Sequence, residues 1–207
     1  TSTPIIKINR TKSYGAEVVL YGNVYDEACE YAKKLAQEEG YTFIHPFDDE
    51  NVIAGQGTIA LEVLTELDDI DAIVVPVGGG GLISGIAYTA KKIRPSVKVY
   101  GVQVTGAPSM YNSLKNGKII SLKSVSTIAD GIAVKKPGDN TYEYVKKYVD
   151  EVALVSDDEV SSAILALMEK QKMIAEGAGA AAVAAVMFNK FDFNGKRVVA
   201  IVSGGNI

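Results

Sequence analysis

The sequence predicts an α/β fold in which helices cover both faces of a parallel sheet. The first observation behind this is that short apolar runs alternate with helical spacing along most of the 207 residues. The second is that the apolar runs at 72–77 and 197–203 are each followed by a glycine cluster. Parallel strands deliver their carboxyl ends to one edge of a sheet, where open α/β sheets bind ligands.

Local patterns define the predicted elements in chain order. Short apolar, β-branched runs predict strands at 17–21, 42–45, 72–77, 98–104, 151–155 and 197–203. Apolar residues that recur every three or four positions predict helices at 25–39, 52–67, 82–92, 108–114, 140–148, 157–172 and 178–189. Asp48 and Asp49 are interpreted as caps of the helix at 52–67.

The helix at 157–172 has the clearest start signal in the chain. Ser156 and Glu159 have the spacing of a capping box, in which each residue's side chain satisfies the other's backbone N–H. The apolar residues that follow predict one buried stripe, formed by Val160, Ala163, Ile164, Leu167 and Met168.

The run Gly78–Gly81 after the strand at 72–77 carries the most chemical information. Without Cβ atoms, successive backbone N–H groups can converge on a small anion, and the dipole of the following helix favours phosphate. The sequence therefore predicts a phosphate cradle. A glycine-rich turn without a ligand is the alternative that the pattern leaves open.

Two common phosphate motifs do not fit this run. The dinucleotide motif needs a sixth-position glycine, but Ile83 or Ser84 stands there, depending on the first glycine chosen. The triphosphate loop needs a Gly-Lys-Ser/Thr triplet, which occurs nowhere in the chain. A single phosphate monoester is therefore the better ligand.

Composition limits the partners that can be expected. The net charge of −4 offers no basic field for nucleic acid or anionic membranes, and no apolar run approaches the length of a membrane span. A single cysteine excludes an internal disulfide. We expect a cytoplasmic protein that binds neither nucleic acid nor membrane.

Several ordered segments resemble one family along essentially the whole chain. They are Thr-Pro-Ile-Ile-Lys-Ile-Asn at 3–9, Tyr-Gly-Ala-Glu-Val-Val-Leu at 14–20, His-Pro-Phe-Asp-Asp at 45–49, Val-Ile-Ala-Gly-Gln-Gly-Thr-Ile-Ala-Leu-Glu at 52–62, Pro-Val-Gly-Gly-Gly-Gly-Leu-Ile at 76–83, Thr-Ile-Ala-Asp-Gly-Ile at 127–132, Glu-Gly-Ala-Gly-Ala at 176–180 and Ser-Gly-Gly-Asn at 203–206. The chain thus resembles the threonine/serine dehydratases among the fold-type II pyridoxal-phosphate (PLP) enzymes.

The resemblance implies a two-domain fold like that of the tryptophan synthase β chain. Residues 1–45 would belong to the small domain and 46–207 to the large PLP-binding domain. The implied reaction is PLP-dependent β-elimination of a small amino acid, L-threonine or L-serine, to a 2-oxo acid and ammonia. A homo-oligomer, dimer or tetramer, is implied for the full-length protein.

The resemblance also implies roles for individual residues. The phosphate would be held by Gly78, Gly79, Gly80, Gly81 and Leu82. The Ser203 hydroxyl would bond the pyridine nitrogen, Gly131 would lie beside the ring, and Glu176 would lie near the cofactor face. The alternatives are purely structural roles: a strand-end cap for Ser203, an ordinary Asp-Gly turn at Gly131 and a helix-dipole partner for Glu176.

Two family motifs are missing from the 207 residues. These are the Ser-Phe-Lys-x-Arg-Gly segment with the Schiff-base lysine and the Ser-x-Gly-Asn-His loop. No catalytic residue is therefore assigned in this chain. We expect a fragment that has little or no dehydratase activity by itself.

Two other functions stay open. Serine racemases of this family bind a divalent cation through acidic residues after the strand at 98–104, where this chain has Gln103 and Ser109. Because hard cations prefer carboxylates, no metal site is expected. The other alternative is a non-catalytic fragment that binds PLP or phosphate through the glycine run alone.

Overall fold

The computed structural model describes residue 3, residues 5–23 and residues 25–206, with the side chains of Tyr25 and Asp26 left out. The chain divides into two compact units. The first runs to His45 and takes in Asn206, and the second is Pro46–Gly205. The outer ends of the two predicted domains, residues 1 and 207, lie outside the described residues.

The first unit contains helices α1 (Ile5–Ser13) and α2 (Tyr25–Glu39). The strands predicted at 17–21 and 42–45 are wrong, because neither segment pairs as a strand. A sheet made of these two segments alone would have only marginal stability, because two strands bury too little apolar surface. Tyr21 instead stacks its ring on Tyr31 of α2, with the ring centroids 4.0 Å apart.

The second unit contains all the strands and most of the helices of the described chain. Its elements are α3 (Glu50–Glu66), β1 (Ala72–Pro76), α4 (Gly81–Ile93), β2 (Lys98–Val104), α5 (Ser109–Asn116), α6 (Asp139–Tyr148), β3 (Glu151–Val155), α7 (Asp157–Ala166), α8 (Gly177–Met187) and β4 (Val198–Ala200). A 3₁₀ turn spans Asp130–Ile132, and a π-helical turn spans Leu167–Gln171. Among the described residues, no helix combines the length and apolar character that a bilayer crossing requires.

The four strands form one parallel sheet in the order β3-β2-β1-β4. Ala72 of β1 lies opposite Lys98 of β2 on one side and Val198 of β4 on the other. The sheet therefore extends from β1 in both directions. Such a switch point is where open α/β sheets form a ligand crevice beyond the carboxyl ends of their strands.

Strand β1 shows how both faces of the sheet are covered. Val74 packs into an apolar layer with α7 and α8, whereas Ile73 and Val75 pack into a second layer with α3 and α4. Alternate strand residues point to opposite faces, so a strand buried on both sides reads as a continuous apolar run. The predicted α/β fold with a parallel sheet is confirmed.

Helix α7 starts as predicted but ends differently. The capping box of Ser156 and Glu159 is present, and Val160 and Ala163 are buried. The prediction that Met168 belongs to the buried stripe was wrong, because this residue is 47% exposed. The π-helical turn from Leu167 onward changes the residues per turn and rotates the following side chain out of the apolar layer.

Strand β4 is shorter than the predicted strand at 197–203, since it spans Val198–Ala200. Its pairing continues for one more hydrogen bond, from Ile201 N–H to the carbonyl of Val74 at 2.9 Å. Beyond this point the chain leaves the sheet and approaches the start of α8. Because the strand ends early, the second glycine cluster lies beside that helix.

Candidate functional site

The first part of the site is the glycine loop, Gly78–Gly81, between β1 and α4. Gly80 adopts a φ of 102°, in the left-handed region that favours glycine, and forms the N-cap of α4 without a side-chain cap. The apolar run of β1 and the helical spacing of α4 fix the two ends of this turn. The predicted strand–glycine–helix unit is confirmed.

Backbone N–H groups in this loop lack acceptors. From Gly78 to Ile83 none of them donates to another residue of the described chain. The residues Gly79, Gly80, Gly81 and Ile83 are nevertheless buried. Buried N–H groups are almost always paired in folded proteins. An anion at the positive end of α4 would satisfy them, so the loop fits a phosphate group.

The glycine loop is closely packed by neighbouring residues and leaves no room for a Cβ atom. A Cβ on Gly79 would lie 2.4 Å from the ring of Phe47, and one on Gly81 would lie 2.8 Å from Phe47 Cα. On the other side, a Cβ on Gly78 would lie 3.1 Å from Ile132 Cα. Close packing thus requires glycine in this loop, in addition to the left-handed backbone conformation of Gly80.

The two aspartates that follow Phe47 cap different helices. Asp49 is the N-cap of α3 and accepts from Asn51 N at 2.8 Å, as predicted. The prediction for Asp48 was wrong, because its carboxylate accepts from the first turn of α6, at Asp139 N and Thr141 N, each at 3.0 Å. Sequence proximity to α3 could not reveal a partner 91 residues away.

The second part of the site is the loop that carries Gly131. The 3₁₀ turn Asp130–Ile132 brings it against the start of α8, where a Cβ on Gly131 would lie 2.9 Å from Ala178 Cβ and 3.2 Å from Glu176 Oε1. The loop also approaches the glycine run, since a Cβ on Gly78 would lie 3.5 Å from the Gly131 carbonyl oxygen.

Glu176 connects this loop to the second glycine cluster. It is the N-cap of α8, and its N–H donates to the carbonyl of Gly204 at 3.0 Å. A Cβ on Gly204 would lie 2.5 Å from Glu176 Oε1. A Cβ on Gly179, in the first turn of α8, would lie 2.5 Å from the Gly204 carbonyl oxygen. The chain after β4 therefore lies directly on the start of α8.

The remaining predicted residues lie at the edges of this arrangement. Ser203 directly precedes Gly204 and its side chain is exposed. Leu82 contributes a backbone N–H to the glycine loop, while its half-buried side chain packs against the α3–α4 layer. The successive contacts bring Gly78, Gly131, Glu176 and Gly204 together at the carboxyl edge of the sheet.

Gln103 has a structural role beside the glycine loop. It is fully buried, its amide nitrogen lies 3.2 Å from the carbonyl oxygen of Val77, and its amide oxygen accepts from Tyr111 N at 2.8 Å. Ser109 is buried within 3.5 Å of the same amide nitrogen. These contacts join the end of β1 to α5.

Sequence reasoning missed the side chains that surround the loop. Phe47 lies in the family-like segment 45–49, but no local pattern shows that its ring covers Gly79. Thr141 lies in the first turn of α6 and gives no sequence signal beyond its position near a helix start. Its Oγ1 donates to the carbonyl of Gly79 at 2.6 Å. Such partners become visible only when distant elements are assembled.

Comparison with known proteins agrees with this geometry. The family model described as "Pyridoxal-phosphate dependent enzyme" matches residues 1–204. The L-threonine ammonia-lyase of Thermotoga maritima is 53% identical over 204 residues, which cover 99% of this chain and 51% of that protein. The L-threonine ammonia-lyase of Geobacter sulfurreducens is 51% identical over 207 residues, which cover 100% of this chain and 51% of that protein.

Solved structures show the same fold. Processed threonine deaminase isoform 2 from Solanum lycopersicum matches with a TM-score of 0.91 and 42% identity, over 100% of this chain and 58% of that one. Maize serine racemase matches with a TM-score of 0.94 and 36% identity, over 100% of this chain and 64% of that one. The chain spans about half the length of the curated relatives described above.

Proposed function

Because the chain belongs to the family of pyridoxal-phosphate dependent enzymes, we propose that it forms the cofactor-binding part of an L-threonine ammonia-lyase. The reaction is β-elimination of L-threonine to a 2-oxo acid and ammonia, with L-serine as a further candidate substrate. The identity of 53% to the Thermotoga maritima L-threonine ammonia-lyase supports this substrate class. The observation that carries the proposal is the buried glycine loop, whose N–H groups have no acceptor within the described chain.

The glycine loop binds the cofactor phosphate in this proposal. The backbone N–H groups of Gly78, Gly79, Gly80, Gly81 and Leu82 donate to the phosphate oxygens, and the positive end of the α4 dipole adds to their attraction. When bound, PLP supplies an electron sink for the bond that breaks at the substrate α-carbon. The close approach of Phe47 and Ile132 to the loop limits the access of water to these N–H groups.

The other site residues orient the ring of the cofactor. The Ser203 hydroxyl donates a hydrogen bond to the pyridine nitrogen, and a neutral hydroxyl favours elimination because it does not stabilise a protonated ring as a carboxylate would. Gly131 permits close approach of the ring to the backbone. Glu176 presents its carboxylate beside Gly131, and the contacts of both residues with α8 support this arrangement.

The two compact units support a domain assignment. Residues 1–45 form part of the small domain, and residues 46–207 form part of the large PLP-binding domain. In the full-length protein we expect a homo-oligomer, dimer or tetramer, in the cytoplasm. The net charge of −4 provides no basic field, which supports the absence of a nucleic-acid or membrane partner.

Serine racemase is the second candidate function. It is favoured by the TM-score of 0.94 to the maize serine racemase. The higher identity to the ammonia-lyases supports the first candidate. Both candidates share the phosphate site, so the product of the reaction is the direct way to distinguish them.

The test is to reconstitute the full-length protein with PLP and to assay two substrates. We expect 2-oxobutyrate and ammonia from L-threonine. D-serine as the main product from L-serine, found by chiral chromatography, would instead identify a racemase. PLP binding is measured separately by absorbance titration, in which inorganic phosphate should compete.

Two results would overturn the proposal. One is PLP affinity that inorganic phosphate does not lower, because the phosphate group would then not be the part that the loop binds. The other is failure of the reconstituted protein to convert either amino acid. A Ser203→Ala variant should keep phosphate competition while it alters the absorbance of the bound cofactor. Ser161→Ala, a hydroxyl loss on the exposed face of α7, is the matched control.

A further inference from the structure

The carbonyl of Gly79 is held by donors from outside the glycine loop. Thr141 Oγ1 donates to it at 2.6 Å, and Gly138 N donates to it at 3.3 Å. Thr141 has no exposed surface, so water does not compete with this bond. Both donors belong to the start of α6, which follows the loop by more than fifty positions in the sequence.

Asp48 in turn fixes the start of α6. Its two carboxylate oxygens accept from Asp139 N and Thr141 N, each at 3.0 Å. The N-cap residue of α6 is Gly138, which offers no side-chain cap. A Cβ at Gly138 would lie 2.3 Å from Asp48 Cγ, so the glycine makes room for the aspartate. The start of α6 is therefore capped by a residue that lies far away in sequence.

The consequence for the glycine loop follows from peptide geometry. The Gly79 carbonyl and the Gly80 N–H belong to one planar trans peptide unit and point in opposite directions. When Thr141 holds the carbonyl, the Gly80 N–H is turned away from α6. Gly80 has a φ of 102°, and a glycine is free to adopt many other conformations. A fixed carbonyl partner removes much of that freedom.

We infer that Thr141 and Asp48 are positioning residues, which hold the glycine loop in its anion-binding conformation before any ligand arrives. This inference rests on the proposed function for the identity of the anion, the phosphate group of PLP. A loop that is already ordered loses less conformational entropy when it binds. Neither side chain needs to touch the cofactor for this effect.

The test compares Thr141→Val with Thr141→Ser in the full-length protein. Valine keeps the shape of threonine but removes the donor, whereas serine keeps the hydroxyl. We expect Thr141→Val to weaken PLP binding by about tenfold, the effect of one buried hydrogen bond. Thr141→Ser should restore affinity to within about twofold, and Asp48→Asn should weaken it by several fold because one N–H loses its acceptor.

A matched control separates positioning from a general loss of stability. Ser113→Ala removes another fully buried hydroxyl, which donates to Ser109 O at 2.7 Å and has no bond to the glycine loop. It should lower the free energy of unfolding without changing PLP affinity. The ³¹P chemical shift of bound PLP should move in Thr141→Val and stay at its wild-type value in Ser113→Ala.

Affinity of Thr141→Val within twofold of wild type, or equal weakening by Ser113→Ala, would overturn the inference. Failure of the wild-type protein to bind PLP would overturn the proposed function instead. Amide exchange then still decides the role of Thr141. The Gly138 N–H, which donates to the Gly79 carbonyl at 3.3 Å, should exchange about tenfold faster in Thr141→Val if the hydroxyl holds the loop, and unchanged exchange would overturn that role as well.

Discussion

Thr127 donates a hydrogen bond of 2.5 Å from Oγ1 to Oδ1 of Asp157, and this bond joins the Gly131 loop to the first turn of α7. The other carboxylate oxygen of Asp157 accepts from Ile128 N at 3.3 Å. Thr127 Oγ1 also accepts from Ala129 N at 3.1 Å. One side chain on a helix therefore organises the loop that approaches the glycine run.

Asp157→Asn should loosen this loop. The amide offers one oxygen where the carboxylate offers two, so one of the two donors loses its partner. We expect a loss of about 1–3 kcal/mol in the free energy of unfolding, measured by urea denaturation. Asp158→Asn is the control, because it changes an exposed carboxylate in the same turn of α7. Equal losses in the two variants would point to the helix dipole rather than to the Thr127 bond.

Gly79→Ala should disrupt the glycine loop. Its Cβ would lie 2.4 Å from the Phe47 ring, so the ring or the loop must move. Overpacking of this kind costs about 1–3 kcal/mol. Thermal unfolding measures the loss, and phosphate binding should weaken in parallel.

Gly55→Ala provides the opposite control for that variant. Gly55 lies within α3 and has open space around its ideal Cβ position. Alanine there should stabilise the protein by up to about 1 kcal/mol, because it removes backbone freedom from the unfolded chain. A loss of stability in Gly55→Ala would show that α3 is more crowded in solution than the structure indicates.

Tyr142→Phe should preserve or raise stability. The Tyr142 hydroxyl is buried and has no hydrogen-bond partner among the described residues. Its removal relieves an unpaired polar group, and the ring keeps its contact with Lys146 Nζ, 5.6 Å from the centroid. We expect a gain of up to about 1 kcal/mol by urea denaturation. A loss of that size would reveal a bound water molecule that pairs with the hydroxyl.

Asp150 should make stability depend on pH. Partial burial raises the pKa of its carboxyl, but hydrogen bonds from Lys91 and Lys98 and from Val99 N outweigh this effect. The folded pKa therefore lies below the usual 3.8. The stabilisation is complete above that usual value and is lost as the pH falls through the folded pKa.

Asp150→Asn tests this dependence. Its free energy of unfolding is compared with that of the wild type from about pH 3 to about pH 7, a range that contains the ordinary pKa values of carboxyl groups. The variant should be less stable at neutral pH, and the difference should shrink as the solution becomes acidic. Salt should reduce the part that comes from Lys98, which is more exposed than Lys91. A difference that does not change with pH would contradict the lowered pKa.

The elements that sequence predicted well have local signals. The apolar run of β1, the glycines after it and the capping box of α7 each need only a few neighbouring residues. The errors arise where the deciding contact is distant or where the backbone departs from regular geometry. Asp48 was assigned to the nearest helix, and Met168 follows a π-helical turn that no spacing rule anticipates.

The same distinction applies to the candidate site. Gly78–Gly81, Gly131 and Glu176 could be named because short segments of the family carry them. Thr141 and Phe47 could not be given a role, since their effect depends on which loop they touch in three dimensions. The strands expected at 17–21 and 42–45 failed for a related reason, because a strand needs a neighbour that its own residues do not specify.

The cap that Asp48 provides to α6 has a consequence for the order in which the protein folds. The bond closes a loop of 91 residues, and α4 and the sheet strands β1 and β2 lie within that span. Contacts of such sequence separation form late, because the entropy of loop closure must first be offset by other interactions. The sequence pattern of the glycine segment is thus present in any fragment that contains these residues. Its anion-binding conformation should arise only as one of the last events on the folding pathway of the second unit.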